Sequence, residues 1–148
     1  MLGSSMAKGK VVKIDKVMPF VPDPGIGYIS RMLIDVFNAG SEKLQVNHGI
    51  LQGGCATPGA THNPPHDELY IVLKGQAVLR MDGVDYDIEN GTVVFIPGGT
   101  FHSLKNKSQT EDLEIITVWP GQPAPGANEV YDMRKKEWGT TYREVEKK

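Results

Sequence analysis

Gly91-Thr92-Val93-Val94-Phe95-Ile96-Pro97-Gly98-Gly99-Thr100-Phe101-His102-Ser103-Leu104-Lys105-Asn106 is the stretch that decides the fold. Residues 93–96 are a β-branched and aromatic run, the composition of a buried strand. Pro97-Gly98-Gly99 then supplies the backbone angles a tight turn needs. His102 therefore opens the next strand. Upstream, Thr61-His62-Asn63-Pro64-Pro65-His66-Asp67-Glu68 places two histidines and a carboxylate just before a second apolar run, residues 69–73, which stops at Gly75. Three of the four histidines thus stand at strand entrances. Two or three imidazoles with one carboxylate is a donor set that suits a borderline divalent metal and leaves positions open for a substrate or oxygen.

These residues resemble the cupin family. Its second motif, G-x5-P-x-G-x2-H-x3-N, is filled at all five fixed positions by Gly91, Pro97, Gly99, His102 and Asn106. The first motif, G-x5-H-x-H-x3 or x4-E-x6-G, is matched by His62, Glu68 and Gly75. The chain departs from it at Pro64, where the second histidine would stand, and at Ala56, where the glycine would stand. The resemblance spans residues 44–119. It implies an all-β, double-stranded β-helix (jelly-roll) barrel, a bound metal, and dimerisation through sheet contacts of N-terminal strands, here residues 11–14 and 29–37.

The geometry of the first motif can be weighed independently. Residues 62, 64, 66 and 68 share one parity and would share one strand face. Extended at about 3.3 Å per residue, however, His62 and Glu68 would stand about 20 Å apart, whereas ligands of one ion lie about 2.0–2.2 Å from it. The chain must bend, and Asn63-Pro64-Pro65 is expected to supply the bend. The expected ligands are His62, His66, Glu68 and His102, holding one divalent transition metal: zinc, iron, nickel, manganese or copper. His66 has a second reading, as a polar residue that hydrogen-bonds Glu68 or a substrate. Together with Tyr70, which shares the face of Glu68, it is the candidate for moving protons. His48 reads as a core residue, or one that orients the metal site, facing the barrel interior.

Short apolar runs separated by turn residues predict about nine antiparallel strands: 11–14, 29–37, 44–51, 69–73, 77–81, 84–88, 92–96, 101–105 and 113–118. Asp82-Gly83 is a two-residue hairpin turn, and Asn90-Gly91 marks another reversal. Residues 1–10 read as a disordered or cloning-derived N-terminus and 11–126 as a single barrel domain. Residues 127–148 form a charged tail that packs on the barrel or on a partner.

The 148 residues are 39% hydrophobic and 23% charged, with a formal net charge of −2, which fits one ordinary domain. Spread basic residues give no footprint for nucleic acid or an anionic membrane. No apolar run approaches the roughly 20 residues that span a bilayer. One cysteine, Cys55, cannot form an internal disulfide framework, which suits a reducing, cytoplasmic setting. The expected function is a metal-dependent enzyme, of isomerase or dioxygenase type, acting on a small oxygenated molecule. The alternative is a non-catalytic module that binds or senses a small molecule or metal.

Overall fold

A computed structural model describes residues 7–62, 66–123 and 126–145. Its strands are β1 (Tyr28–Ile34), β2 (Gln45–Leu51), β3 (Glu68–Lys74), β4 (Gln76–Met81), β5 (Val84–Glu89), β6 (Val93–Ile96), β7 (His102–Asn106) and β8 (Leu113–Trp119). Two helices accompany them, α1 (Val36–Ala39) and α2 (Glu129–Trp138). A five-stranded sheet of order β1-β2-β8-β3-β6 lies against a three-stranded sheet of order β5-β4-β7, every pairing antiparallel. This is the jelly-roll barrel expected from the sequence, built with eight strands among the described residues.

Alternation decides which side chains fill it. Tyr70 and Val72 on β3, Ala77 and Leu79 on β4, Leu104 on β7, and Leu113 and Ile115 on β8 all point inward and are buried. Burying one such aliphatic side chain contributes about 1.5–3 kcal/mol, so this row is the main source of the barrel's stability. The β4–β5 hairpin turns at Asp82-Gly83, both with positive φ (46° and 83°), as the Asp-Gly pair anticipates. Gly75 joins β3 to β4 at φ 93°, and a Cβ there would fall 2.7 Å from the Asp112 carbonyl oxygen. Only glycine fits both demands.

Two strand expectations need correction. Residues 11–14 form no strand: Val11 is 95% exposed, and Ile14–Lys16 is a single 3-10 turn. Lys10, Lys13 and Lys16 surround a few apolar residues that pair with no sheet edge, and β-propensity without a partner does not make a strand. The predicted strand 29–37 stops at Ile34 because Asp35 caps a helix instead. Its Oδ1 accepts from the backbone N–H of Phe37 (2.9 Å) and Asn38 (3.2 Å), while Asn38 Oδ1 accepts from Asp35 N–H (2.8 Å). That reciprocal capping box is stronger locally than continued pairing.

The C-terminal helix packs across the barrel beside β1. Asn128 caps it by accepting from Tyr131 N–H, Trp138 meets Phe20 edge-on at 5.3 Å, and the buried Thr141 hydroxyl donates to Asp35. No helix among the described residues is long and apolar enough to cross a membrane.

Candidate metal centre

Residues 91–106 build one wall of the site. Gly99 N–H donates to the His62 carbonyl, and Gly98 N–H donates to Asp67 Oδ1 at 2.9 Å, so the Pro97-Gly98-Gly99 turn holds the chain on both sides of residues 63–65. Asn106 is structural. Its Nδ2 donates to the carbonyls of Leu51 (3.0 Å) and Glu111 (2.9 Å), and its Oδ1 accepts from Ser108 N–H. Such a buried amide is satisfied on both ends and fixes the loop between β7 and β8.

His62 reaches the site through backbone pairing. Ala60 and His102 exchange both N–H···O bonds at 2.9 Å, and Ala56 bridges Lys105, so the segment before His62 lies along the free edge of β7. The rings of His62 and His102 are consequently 5.1 Å apart. The bend expected at Asn63-Pro64-Pro65 lies outside the described residues.

His62 Nε2 stands 3.7 Å and His102 Nε2 3.5 Å from Glu68 Oε1, and the three ligand atoms lie within 4.8 Å of one another. Two ligands about 2.1 Å from one tetrahedral ion are about 3.4 Å apart, so this spacing is that of a coordination shell. The orientation agrees. His102 Nδ1–H donates to the Thr100 carbonyl (3.0 Å) and His62 Nδ1–H to the Ala127 carbonyl (3.4 Å), which leaves both Nε2 lone pairs toward Glu68. Trp119 Nε1–H donates to Glu68 Oε2 at 2.8 Å, while buried Oε1 has no hydrogen-bond partner. An orphaned carboxylate oxygen facing two imidazole nitrogens is costly without a cation, so the donor set fits a divalent metal.

Burial pushes the His62 pKa down, against the pull of Glu68. Burial would also lower His102, but the Glu68 carboxylate and the Thr100 carbonyl outweigh it and hold that imidazole above its ordinary value. Burial, reinforced by Glu68, raises the Tyr70 phenol well above its usual value. At neutral pH Tyr70 is therefore an O–H donor and not a phenolate base.

His66 is not part of the three-ligand group; its ring lies 5.3 Å from that of Trp119. Tyr70 is buried with its ring 6.1 Å from His102. His48, expected to face the interior, does not. Gln45 and Asn47 line the cavity and Leu51 joins the core, so His48 has the opposite parity on β2 and faces away. It is buried there, with Nε2 3.0 Å from Glu114 Oε1. Cys55 is free and half-buried, with Sγ 3.6 Å from the Gly53 carbonyl oxygen.

A cavity of about 480 Å³ adjoins the three ligands. Tyr28, Gln45, Thr117 and Trp119 line it from the sheet, and Tyr131 and Arg134 line it from α2. Sequence reasoning missed Trp119, Gln45 and Arg134. Trp119 shares the inward parity of Leu113 and Ile115, a signal that was there to read; Arg134 sits in a run with Lys135 and Lys136 and carries no such mark.

A protein-family model described as Cupin domain matches residues 47–119. Convicilin from Pisum sativum is 31% identical over 87 residues, covering 54% of this chain and 22% of convicilin. An oxalate-binding protein from Thermotoga maritima is 39% identical over 51 residues, covering 34% of this chain and 41% of that protein. The chain spans less than half the length of either relative. Among solved structures, the polyketide cyclase RemF from Streptomyces resistomycificus superposes with a TM-score of 0.68 at 21% identity, over 88% of this chain and 94% of that one. At that identity the likeness is one of fold.

Proposed function

We propose that this chain, which belongs to the cupin superfamily, holds one divalent transition metal on His62, Glu68 and His102 and acts with it on a small oxygenated molecule in the adjoining cavity. The observation that carries this reading is the buried Glu68 Oε1, without a hydrogen bond and 3.5–3.7 Å from two imidazole nitrogens. Zinc, iron, nickel, manganese and copper all suit two imidazoles and a carboxylate. When bound, such an ion supplies Lewis acidity toward a carbonyl or hydroxyl, or oxygen chemistry if it is iron.

The chain's own groups divide the remaining work. The Thr100 and Ala127 carbonyls fix the tautomers of His102 and His62, and Trp119 fixes the carboxylate. Tyr70, kept as a neutral phenol by burial, donates a hydrogen bond or a proton to a ligand oxygen. His66, beside Trp119 at the entrance to β3, serves as a proton carrier. Helix α2 covers one side of the cavity and limits water there. Isomerase and dioxygenase chemistries both use these roles. One relative is named for binding oxalate, and a small carboxylate is within the range of ligands this cavity can hold.

A second reading, a module that binds without turnover, draws on one observation: the ligand group found among the described residues has three members, and the sequence carries a proline, Pro64, where the motif has its second histidine. The chain's other partner is a second copy; residues 11–14, one of the two segments expected to join it, form no strand, and the exposed apolar side chains Val93 and Phe95 on the end strand β6 support a contact there instead. The one cysteine of the sequence, Cys55, supports a reducing, cytoplasmic setting.

The test is metal content by mass spectrometry on untagged protein. About one transition metal per chain, lost in His62→Ala and His102→Ala, supports the reading. Absence of metal after reloading defeats it. Turnover of a panel of sugars, hydroxy acids, diketones and phenols by the loaded protein separates enzyme from binding module.

A further inference from the structure

Arg134 projects from α2 into the same cavity and is 1% exposed. Its Nη2 donates to Ser30 Oγ at 2.6 Å, but its buried Nε has no hydrogen-bond partner, and no carboxylate forms an ion pair with it among the described residues. Asp35 is the acidic group that acts on it at longer range, together with the Tyr28 and Tyr131 phenols. The Asp35 oxygens are already engaged by Phe37 N–H, Asn38 N–H and the Thr141 hydroxyl. Burial dominates, and the guanidinium is pushed down to about 10. A buried cation left in this state is unfavourable unless something else completes its shell.

Two more unsatisfied groups line the same cavity. Gln45 Nε2 is buried without a partner, and the Tyr131 hydroxyl approaches Gln122 without a hydrogen bond of ordinary geometry. Among the described residues, five buried side-chain atoms lack partners, and four of them belong to residues that line this cavity. The fourth is Glu68 Oε1, at the metal ligands. The other three are donors. A purely structural role for Arg134, tying α2 to β1 through Ser30 and packing over Phe20 at 5.4 Å, accounts for Nη2 but leaves all three donors idle.

We infer that Arg134, with Gln45 and Tyr131, binds the carboxylate of this cavity's ligand. A planar guanidinium presents parallel N–H donors that match a carboxylate's two oxygens. A phosphate dianion fits poorly, because the cavity offers one guanidinium while Asp23, Glu68 and Glu129 also line it. The ligand class thereby narrows to small organic acids that carry a second oxygen function, such as hydroxy, keto or sugar acids. This deepens the function proposed above and rests on the cavity being the ligand site, but it needs no metal.

The test compares mandelate and gluconate with their uncharged amides, by calorimetric titration at low salt, in chelator-treated and in metal-loaded protein. The acids are expected to bind the chelator-treated protein about tenfold or more tightly than the amides, a preference that fades as salt rises. Arg134→Met, which keeps volume and removes charge, should abolish that preference, and Tyr131→Phe should weaken acid binding several-fold at unchanged folding. Equal binding of acids and amides, no acid binding, an Arg134→Met variant that binds acids as the parent does, or phosphate displacing the acids at lower concentration would each overturn the inference. If Arg134→Met does not fold, the acid and amide comparison in the parent protein and Tyr131→Phe still decide. Metal stoichiometry on the same samples reads the other proposal separately. Acid binding through Arg134 in a protein that never takes up metal sinks the metal reading alone, and metal uptake without acid preference sinks this one alone.

Discussion

Replacing Trp119 by phenylalanine removes one hydrogen bond, from Nε1–H to Glu68 Oε2 at 2.8 Å, and keeps an aromatic ring beside His62. Glu68 is 6% exposed, so its Oε2 has little contact with bulk solvent once the indole donor is gone. A hydrogen bond to a charged group contributes about 1.5–3 kcal/mol, and the smaller ring leaves a void worth about 1 kcal/mol more. At about 2–4 °C per kcal/mol for a chain of this size, the metal-free variant should melt about 5–15 °C lower. Metal affinity, read by competition with a chromophoric chelator, should fall about 10–100-fold, because the carboxylate loses the group that orients it. In a Glu68→Gln background the same change should cost markedly less, since the two residues act as one unit. If Trp119→Phe lowers the melting temperature but leaves metal affinity within about twofold, the indole is core packing and the orientation argument fails.

Other outcomes follow from the same geometry. In the metal-free protein, His102 has a folded pKa above its unfolded value of about 6.5, so its stabilisation is complete below about pH 6.5 and is lost as pH rises through the raised folded value. His62 is lowered, so it costs stability as pH falls below about 6.5; denaturant melts should therefore be most favourable near that pH, with His102→Ala flattening the decline above it. Zinc should reverse the slope above pH 6.5, because its uptake requires both imidazoles neutral; an unchanged slope would count against these ligands. Gly75→Ala should cost about 2–4 kcal/mol through left-handed strain plus the clash with Asp112, measurably more than Gly91→Ala, whose Cβ meets nothing within 4 Å. Light scattering should give the mass of two chains, and of one for Phe95→Glu; a monomeric parent protein at micromolar concentration would remove the dimer.

Much of the barrel was legible because strand alternation is a local signal. Residues 69–73, 77–81 and 84–88 lie within β3, β4 and β5, and Asp82-Gly83 turns as its chemistry demands. The failures came where a local preference met a non-local condition. Val11 has β-propensity but pairs with no strand, and Asp35 gives its carboxylate to a helix cap in a run that otherwise reads as strand. His48 shares strand parity with apolar neighbours, but parity alone does not say which face is inside. Within the site, His62, Glu68 and His102 stand out by spacing in a way that Trp119 and Arg134 do not. Trp119 meets Glu68 across 51 positions and Arg134 meets Ser30 across 104, and no local pattern encodes pairs so far apart.

The reciprocal bridge between Ala60 and His102 gives the centre a mechanical character. One ligand sits on a pair of backbone hydrogen bonds and another only two residues beyond it, so peeling the 56–62 segment from the edge of β7 would separate the ligands like an opened clasp. An ion held by both halves would keep that clasp shut. The amides of Ala60 and His102 should then exchange with solvent as a coupled pair and slow together when metal arrives, a timing signal carried by main-chain atoms that never touch the ion.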